Sequence, residues 1–344
     1  MHHDFYCVGS NFFVSAMLLA YTLGGACGAC ALHFVFRWLL CKRMSIAGKH
    51  VLITGGSQGL GLALAKLCYL RGAKVTILAR TKKKLELACE EVMQQRSEVP
   101  GAKIQNIALD VSSMRSAHFA ELLNEAANAE GFGRVDVVVA NAGTGVAKLL
   151  VGTPLEQIDE LMDAQISTNL LGSLRCATAA AQIMSSDGLG GHVCIVSSAA
   201  GLISLPGYAV YSATKFGHRG FLAGAYHELQ QHGVNLSVYY PGSIETPGFE
   251  HEKRQMPTVT SRIESSCSDV SKAEAAAAVL LAGIEKGTKE ITNELLPSLV
   301  VDHPTGFAPL DACIASVVQC IRAGWSTYLR IMARQYIAPV TVNH

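Results

Sequence analysis

The sequence predicts an α/β fold built on a doubly wound parallel β-sheet, with an apolar segment at each end of the chain. Short β-branched runs alternate with longer helical stretches between about residues 48 and 295, and these runs are continuously apolar. Repeated strand–helix units of this kind form a parallel sheet that helices cover on both faces. The composition adds a third observation, because 50% hydrophobic and 16% charged residues make a chain of 344 residues too apolar for a typical soluble enzyme.

The continuous apolar runs are predicted to be strands that are buried on both faces. They are residues 50–54, 74–78, 104–109, 135–140, 193–196 and 234–240. Between them, helices are predicted at 60–71 and 82–95. Ser271 and Glu274 form the pattern of a capping box, which predicts a helix that opens there and ends at Gly287.

Charge and cysteine content exclude some functions. A net charge of +1 does not suit a polyanion, so nucleic acid is not an expected partner. The eleven cysteines show no zinc-type spacing, and no metal site is expected. Cys27 and Cys30 form a C-x-x-C, but it lies inside an apolar run without strand–turn–helix context. Free thiols in this number fit a reducing compartment.

The N-terminal segment, residues 1–45, is predicted to be a membrane anchor. From Phe12 to Phe36 there is no Asp, Glu, Lys or Arg, and these 25 residues are long enough to cross a hydrocarbon core of about 30 Å as a transmembrane helix. A cleaved signal peptide would need a basic start, which is missing. A buried soluble helix is the other alternative, for which Gly24, Gly25 and Gly28 are poor choices.

The charges beside this segment predict its orientation. Arg37, Lys42 and Arg43 follow the run, and no Lys or Arg precedes it. The positive-inside rule therefore places residues 46–295 in the cytosol. The glycosylation sequon at Asn235 is then expected to stay unmodified.

The C-terminal extension, residues 296–344, is apolar but interrupted by charges. Residues 324–337 read as a helix that carries Arg330 and Arg334 on one face and Trp325 and Leu329 among its apolar residues. Such a helix can lie on a membrane surface, and it can equally pack on the domain or at a dimer contact. A second span is disfavoured because the apolar run 307–321 is short and contains Asp311.

A glycine-rich turn predicts a dinucleotide site. Residues 54–61, Thr-Gly-Gly-Ser-Gln-Gly-Leu-Gly, connect the first predicted strand to a helix. Glycines let a diphosphate approach the backbone, and the helix N-terminus offers free N–H groups. The second strand ends at Ala79-Arg80, where an NAD site usually has an acidic residue. A guanidinium there suits a 2′-phosphate, so NADPH is the expected cofactor.

These motifs and others further along the chain resemble the short-chain dehydrogenase/reductase family over residues 48–295. The resemblance implies a Rossmann-type fold and adds Asp110-Val111, Asn141-Ala142-Gly143 and the loop after the sixth strand to the cofactor site. The residues expected to bind the cofactor are Thr54, Gly55, Ser57, Gln58, Gly59, Gly61, Arg80, Lys84, Asp110, Val111, Asn141, Ala142, Gly143, Tyr211, Lys215, Pro241, Ile244 and Thr246.

The same resemblance implies a catalytic set of Asn169, Ser198, Tyr211 and Lys215. Independently, reduction of a ketone needs a proton donor, and a free tyrosine has a pKa of about 10. Lys215 lies one helical turn from Tyr211, where its charge is expected to lower the pKa of the phenol. The resemblance also implies that Ser198 polarises the carbonyl and that Asn169 holds a water in a proton relay.

The segment up to Asp269 is expected to be a polar, irregular substrate lid. Its residues 246–250, 256–257 and 265–267 are similar to those of the branch of this family that reduces 3-ketosphinganine. That likeness implies a long-chain sphingoid ketone drawn from membrane lipid, at the endoplasmic reticulum. Glu245 or Glu250 is a candidate partner for the substrate ammonium, and the alternative for either residue is a solvated surface charge.

Two other functions remain open at this point. One is a membrane-anchored steroid or retinoid dehydrogenase with the same catalytic set. The other is a non-catalytic NADPH-binding scaffold. Family members usually pair through the helix that begins near Tyr211, so a homodimer is also possible.

Overall fold

Parallel strands and covering helices make up the part of the chain that the structure describes. The computed structural model describes residues 44–95, 100–267 and 270–293. In chain order the elements are β1 (His50–Thr54), α1 (Gly59–Leu70), β2 (Lys74–Ala79), α2 (Lys82–Met93), β3 (Lys103–Ala108), α3 (Ser116–Asn128), β4 (Val137–Ala140), α4 (Leu155–Gln165), a π-helical turn (Ile166–Gly172), α5 (Ser173–Ser186), β5 (Gly191–Val196), a 3₁₀ turn (Ala199–Gly201), α6 (Ala209–Gln231), β6 (Val234–Tyr240), β7 (Ile244–Glu245), α7 (Pro247–Gln255), α8 (Thr258–Cys267), β8 (Ser271–Lys272), α9 (Ala273–Glu285) and β9 (Glu290–Thr292).

Seven of these strands form one sheet in the order β3-β2-β1-β4-β5-β6-β9, and every neighbouring pair is parallel. The chain builds outward from β1 to β3 and then returns to place β4 on the other side of β1. Strand order reverses between β1 and β4, and in sheets of this type ligands bind outside the carboxyl ends of the strands at such a point. The prediction of a doubly wound parallel sheet is confirmed.

The sheet is buried because its strands present apolar side chains to both faces. In β1, Val51 and Ile53 point to the face covered by α1, α2 and α9, while Leu52 points to the face covered by α3, α5 and α6. The two faces therefore form separate cores. Leu64 and Leu280 pack in the first, and Phe119 and Met184 in the second.

The prediction that every strand is buried on both faces is wrong for β3. Four of its six residues are half-buried and its two terminal residues are exposed. The physical reason is that β3 is an edge strand, which has a neighbour only in β2. A run such as Ile104 to Leu109 does not reveal its place in the sheet, since strand order depends on long-range pairing.

Two local predictions near the end of the domain are also wrong. The lid is not irregular, because α7 and α8 occupy most of it, with Phe249, Val259 and Ile263 buried. The capping box at Ser271 does not form: Lys272 is the N-cap of α9, and the Ser271 hydroxyl donates to the Ser243 carbonyl oxygen. Ser271 instead pairs with Ile244, which ties β8 to the loop after β6.

Several predictions fall outside the described residues. They are the transmembrane helix within residues 1–43, Cys27 and Cys30, and the C-terminal extension beyond residue 293. In the described ranges, every helix is too short or too polar to span a bilayer. Over the same ranges, no group of three His, Cys, Asp or Glu side chains could hold a metal ion.

Candidate active site

A cavity of about 820 Å³ opens at the carboxyl ends of the strands, at the point where strand order reverses. Most of the residues that the sequence predicts to bind the cofactor or to act in catalysis line this cavity. Those lining it are Gly55, Ser57, Gln58, Gly59, Arg80, Lys84, Asp110, Val111, Asn141, Ala142, Gly143, Ser198, Tyr211, Lys215, Pro241, Ile244 and Thr246. Thr54, Gly61 and Asn169 lie behind its wall. Elements separated by up to about 190 residues thus meet in one space.

The glycine-rich turn has the shape that a diphosphate needs. Gly55 and Gly59 have φ values of +69° and +57°, in the left-handed region that favours glycine. A Cβ on Gly61 would lie 2.3 Å from the Gly55 carbonyl oxygen, so the start of α1 can pack against the turn only without a side chain. The turn therefore brings bare backbone and a helix N-terminus to the cavity, which fits a dinucleotide cofactor.

Thr54 and Asn141 shape this turn from behind. The Thr54 hydroxyl accepts hydrogen bonds from the backbone N–H groups of Asn141 and Ala142, each at 3.0 Å. The Asn141 side-chain amide donates to the Thr54 carbonyl oxygen at 2.9 Å. Thr54 and Gly61, which the sequence predicts to bind the cofactor, do not line the cavity. Their contacts join β1, α1 and β4.

The adenosine end of the cavity is formed by the ends of β2 and β3. Arg80 is exposed at the rim, directly after β2. Lys84, in the first turn of α2, reaches the Gln58 side-chain oxygen at 3.4 Å. The Asp110 carboxylate accepts from the backbone N–H and the hydroxyl of Ser112, at 2.9 and 2.8 Å, which fixes its direction. A cation at the rim and a fixed carboxylate beside it suit a phosphorylated ribose and an adenine.

Asn169 lies in the π-helical turn, a feature that is frequent at functional sites. It is completely buried. Its side-chain oxygen accepts from the Thr144 N–H and its amide donates to the Thr144 carbonyl oxygen, both at 2.8 Å. The side chain thus holds the loop after β4, and its amide also lies 3.4 Å from the Thr214 hydroxyl on α6. Its backbone carbonyl faces α6 too, where His218 Nε2 lies 2.8 Å away.

Ser198, Tyr211 and Lys215 meet at the centre of the cavity. Tyr211 and Lys215 lie one turn apart on α6, and the ammonium is 5.6 Å from the centre of the phenol ring. The Ser198 hydroxyl is hydrogen-bonded to Tyr211 and accepts from the Ala200 N–H at 3.1 Å. Lys215 donates to the Val196 carbonyl oxygen at 3.0 Å, at the end of β5. Ser197 is engaged differently, since its hydroxyl donates to the Lys215 carbonyl oxygen.

Burial dominates the electrostatics of this centre. It lowers the pKa of Lys215 to about 8, and the Glu252 carboxylate opposes that shift. Burial and the charge of Glu252 raise the pKa of Tyr211, and the hydrogen bond from Ser198 lowers it. The expectation that Lys215 lowers the pKa of Tyr211 is not met here, because the ammonium is directed to Val196 rather than to the phenol oxygen.

The lid contributes residues that the sequence reasoning missed. Glu252 and Glu264, on α7 and α8, line the cavity together with Tyr208. Glu245 and Glu250, which the sequence reasoning considered instead, are exposed, and Glu250 pairs with Lys253 at 3.2 Å. The spacing from Phe249 indicates the inward direction of Glu252. It follows this buried residue by three positions, so both lie on one face of a helix.

Residues 49–257 match the family model described as short chain dehydrogenase. The chain belongs to the short-chain dehydrogenase/reductase family. Among solved structures, a short-chain type dehydrogenase/reductase from Mycobacterium marinum has the same fold, with a TM-score of 0.61 and 23% identity over 73% of this chain and 95% of that one.

Curated members of the short-chain dehydrogenase/reductase family that resemble this chain carry related names. A 3-ketodihydrosphingosine reductase of Cryptococcus neoformans is 33% identical over 77% of this chain and 76% of its own length. A 3-dehydrosphinganine reductase of Arabidopsis thaliana is 32% identical over 76% of this chain and 74% of its own length. A 3-dehydrosphinganine reductase of Danio rerio is 30% identical over 90% of this chain and 89% of its own length.

Family membership makes the chain an oxidoreductase that uses a nicotinamide dinucleotide and acts on a keto or hydroxyl group. The bound nicotinamide supplies hydride for such a reaction. The protein then has to orient the carbonyl and supply a proton to the oxygen as negative charge develops on it. Ser198 and Tyr211 are the donors that line the cavity beside Lys215, and they can perform both tasks.

Proposed function

We propose that the protein reduces 3-ketosphinganine to sphinganine with NADPH, in sphingolipid biosynthesis. The observation that carries this proposal is one cavity that joins the glycine-rich turn to Ser198 and Tyr211 and is lined by residues of the lid. The names of relatives that match three quarters or more of the chain support the choice of substrate. No structural feature of the described residues favours a steroid or retinoid in its place.

In this proposal Ser198 donates a hydrogen bond to the ketone oxygen and Tyr211 transfers its proton to that oxygen. The Lys215 ammonium, which contacts the Val196 carbonyl and lies 5.6 Å from the phenol ring centre, is proposed to hold the nicotinamide ribose and to stabilise the phenolate once the cofactor is bound. Asn169 positions the loop after β4 through its side chain and contacts His218 of α6 through its backbone carbonyl. The remaining residues of the cavity lining hold the dinucleotide.

NADPH is proposed rather than NADH because of the rim of the cavity. Arg80 occupies the position after β2, with Ala79 before it and Lys84 one turn further on. Two cations and no carboxylate at this position of β2 favour a ribose that carries a 2′-phosphate.

We also propose that residues 12–36 anchor the protein in the endoplasmic reticulum membrane, with residues 46–295 in the cytosol. The support is the uncharged segment and the basic residues after it. A long-chain substrate could then enter the cavity from the lipid. Glycan on Asn235 of the protein expressed in cells would contradict this topology.

A homodimer is proposed from exposed apolar side chains on α4, the π-helical turn and α6. Met162, Ile166, Leu171 and Phe216 are each between 37% and 42% exposed. A second copy of the chain would cover them. Light scattering of the detergent-solubilised protein should give twice the monomer mass, and Phe216→Asp should lower it.

The deciding experiment measures NADPH oxidation by the purified full chain with 3-ketosphinganine, a ketosteroid and retinal. We expect turnover of the sphingoid ketone and much slower turnover of the other two. Tyr211→Phe should reduce turnover about 10²- to 10⁴-fold. Tyr226→Phe, at a half-buried tyrosine on the same helix whose hydroxyl accepts from Gln230 and does not line the cavity, should not. Turnover of the steroid alone would contradict the substrate, and NADPH binding without turnover would indicate a scaffold.

A further inference from the structure

The lid helix α7 turns one carboxylate towards the reacting centre. Phe249 on this helix is buried, and Glu252, three residues later, shares its inward face. Glu252 therefore lines the same cavity as Ser198 and Tyr211. The other acidic residues of the helix region, Glu245 and Glu250, face solvent.

Contacts with two other elements place this carboxylate beside the catalytic residues. A Cβ on Gly145 would lie 2.3 Å from one carboxylate oxygen of Glu252, and a Cβ on Gly143, two residues earlier in the same loop, would lie 3.7 Å from Lys215 Nζ. Tyr208 hydrogen-bonds to Glu252, and its ring centre is 5.5 Å from that of Tyr211. Glu252 thus lies beside Tyr208, which packs against Tyr211, and all three line the same cavity.

The carboxylate is charged and lacks a cationic partner of its own. Within the described part of the chain, no ion pair includes Glu252. Burial and the neighbouring Glu264 raise its pKa to about 6, against the hydrogen bond from Tyr208 and the charge of Lys215. It remains mostly ionised at neutral pH, and Glu264 adds negative potential on the same side of the cavity.

A half-buried anion in the same cavity as the proton donor suits a cationic ketone. In a 2-amino ketone the ammonium is on the carbon next to the carbonyl, so a group that binds it must stand beside the group that protonates the oxygen. A steroid or retinoid carbonyl offers no cation, and its binding would leave the carboxylate desolvated and unpaired. The same residue would thus attract one class of substrate and reject the other.

We propose that Glu252 binds the substrate ammonium and selects 2-amino ketones over neutral ketones. This inference rests on the proposed function and names the residue that gives it specificity. Glu264 adds negative charge to the site but does not bind the ammonium in this proposal, because its carboxylate already accepts a hydrogen bond from the Ser243 hydroxyl at 2.7 Å.

The test compares two ketones of equal chain length: 3-ketosphinganine and the analogue in which hydrogen replaces the amino group. Glu252→Gln should lower kcat/KM for the amino ketone about tenfold to a hundredfold and leave kcat/KM for the neutral analogue level or raise it, since the unpaired carboxylate is gone. Glu250→Gln, on the same helix but exposed and paired with Lys253, should change neither value. Binding of sphinganine to the NADP⁺ form, measured by fluorescence or calorimetry, should weaken in parallel.

Gly145→Ala provides an independent variant that leaves the carboxylate in the chain. The three atoms nearest to its new methyl group all belong to the Glu252 carboxylate, at the end of a flexible side chain, so the substitution should displace that carboxylate. It should reproduce the selective loss for the amino ketone. This variant keeps the inference testable if Glu252→Gln does not fold.

The outcomes separate this inference from the proposed function. If the wild-type protein reduces 3-ketosphinganine but both variants keep its preference over the neutral analogue, Glu252 does not bind the ammonium and the function stands. If the wild-type protein reduces only neutral ketones, both conclusions are overturned.

Discussion

The Nε2 atom of His218 lies 2.8 Å from the backbone carbonyl oxygen of Asn169, inside the protein. This contact joins α6, which carries Tyr211 and Lys215, to the π-helical turn. The other ring nitrogen, Nδ1, is buried and has no hydrogen-bond partner among the described residues. The ring can therefore donate to Asn169 as a neutral imidazole, with Nδ1 as its unprotonated atom.

The first prediction concerns the pH dependence that this histidine imposes on stability. Burial and the charge of Lys215 lower the pKa of His218 to about 3 in the folded protein, against about 6.5 in an unfolded chain. Below pH 6.5 the unfolded state therefore binds a proton that the folded state refuses, so stability falls as pH falls. Each histidine that is neutral in the folded state in this way adds about 1.4 kcal/mol per pH unit to the slope of the free energy of unfolding between pH 6 and 4.

His218→Leu should reduce the slope of the free energy of unfolding against pH by about 1.4 kcal/mol per pH unit, which corresponds to one proton. The measurement is urea unfolding of the detergent-solubilised chain at several pH values. His118→Leu, an exposed histidine on α3, serves as the control. An unchanged slope in His218→Leu would show that His218 is not held neutral.

The second prediction uses two glycines that are both helical but differ in their surroundings. Gly61→Ala puts a methyl group 2.3 Å from the Gly55 carbonyl oxygen, so the turn or α1 must shift. We expect the free energy of unfolding to fall by about 1–3 kcal/mol and the cofactor to bind at least about tenfold more weakly. The measurements are thermal unfolding and a fluorescence titration with NADPH.

Gly220 on α6 is the matched control, since a Cβ there meets nothing within 4 Å. Gly220→Ala should raise stability by about 0.5–1 kcal/mol, because alanine loses less backbone entropy in a helix. Equal effects of the two substitutions would contradict the close packing inferred for Gly61.

The placement of Tyr211 and Lys215 on one helix face could be predicted from their spacing, because helical geometry is local. The glycine-rich turn could be predicted for the same reason. What the sequence could not show was the direction of the Lys215 ammonium, which donates to Val196, 19 residues away. Such a bond depends on how β5 packs against α6, and that packing is a property of the whole fold.

The lid shows a different limit. Its two helices are short, and their buried side chains, Phe249 on α7 and Val259 and Ile263 on α8, are divided between them. Neither helix is long enough to show a repeating apolar pattern in a window of 11 or more residues. The segment therefore reads as polar and irregular, and the inward direction of Glu252 is hidden with it.

The third prediction concerns cofactor preference. Arg80→Asp replaces a cation with an anion at the rim of the cavity, which should repel a 2′-phosphate and can accept a hydrogen bond from a 2′-hydroxyl. We expect kcat/KM for NADPH to fall about a hundredfold and kcat/KM for NADH to stay level or rise. Lys83→Asp makes the same charge change three residues later, in the first turn of α2 and outside the cavity lining, and should change kcat/KM for neither cofactor. Equal losses with both cofactors would rule out Arg80 as the selecting residue.

The fourth prediction is the alkaline limit of activity. The pKa of Lys215 is lowered to about 8, so its ammonium is present below pH 8 and is lost as pH rises through that value. If that charge supports proton transfer from Tyr211, kcat/KM for ketone reduction should be level near pH 7 and fall by up to about tenfold per unit above pH 8.

Glu252 gives this limit a second test. Its carboxylate raises the pKa of Lys215 against the effect of burial. Glu252→Gln should therefore move the alkaline limb of the plot of kcat/KM against pH to lower pH, whatever its effect on the maximum value of kcat/KM. Glu250→Gln, which removes an exposed carboxylate from the same helix, should leave the limb in place. A limb that moves to higher pH in Glu252→Gln would mean that a group other than Lys215 sets it.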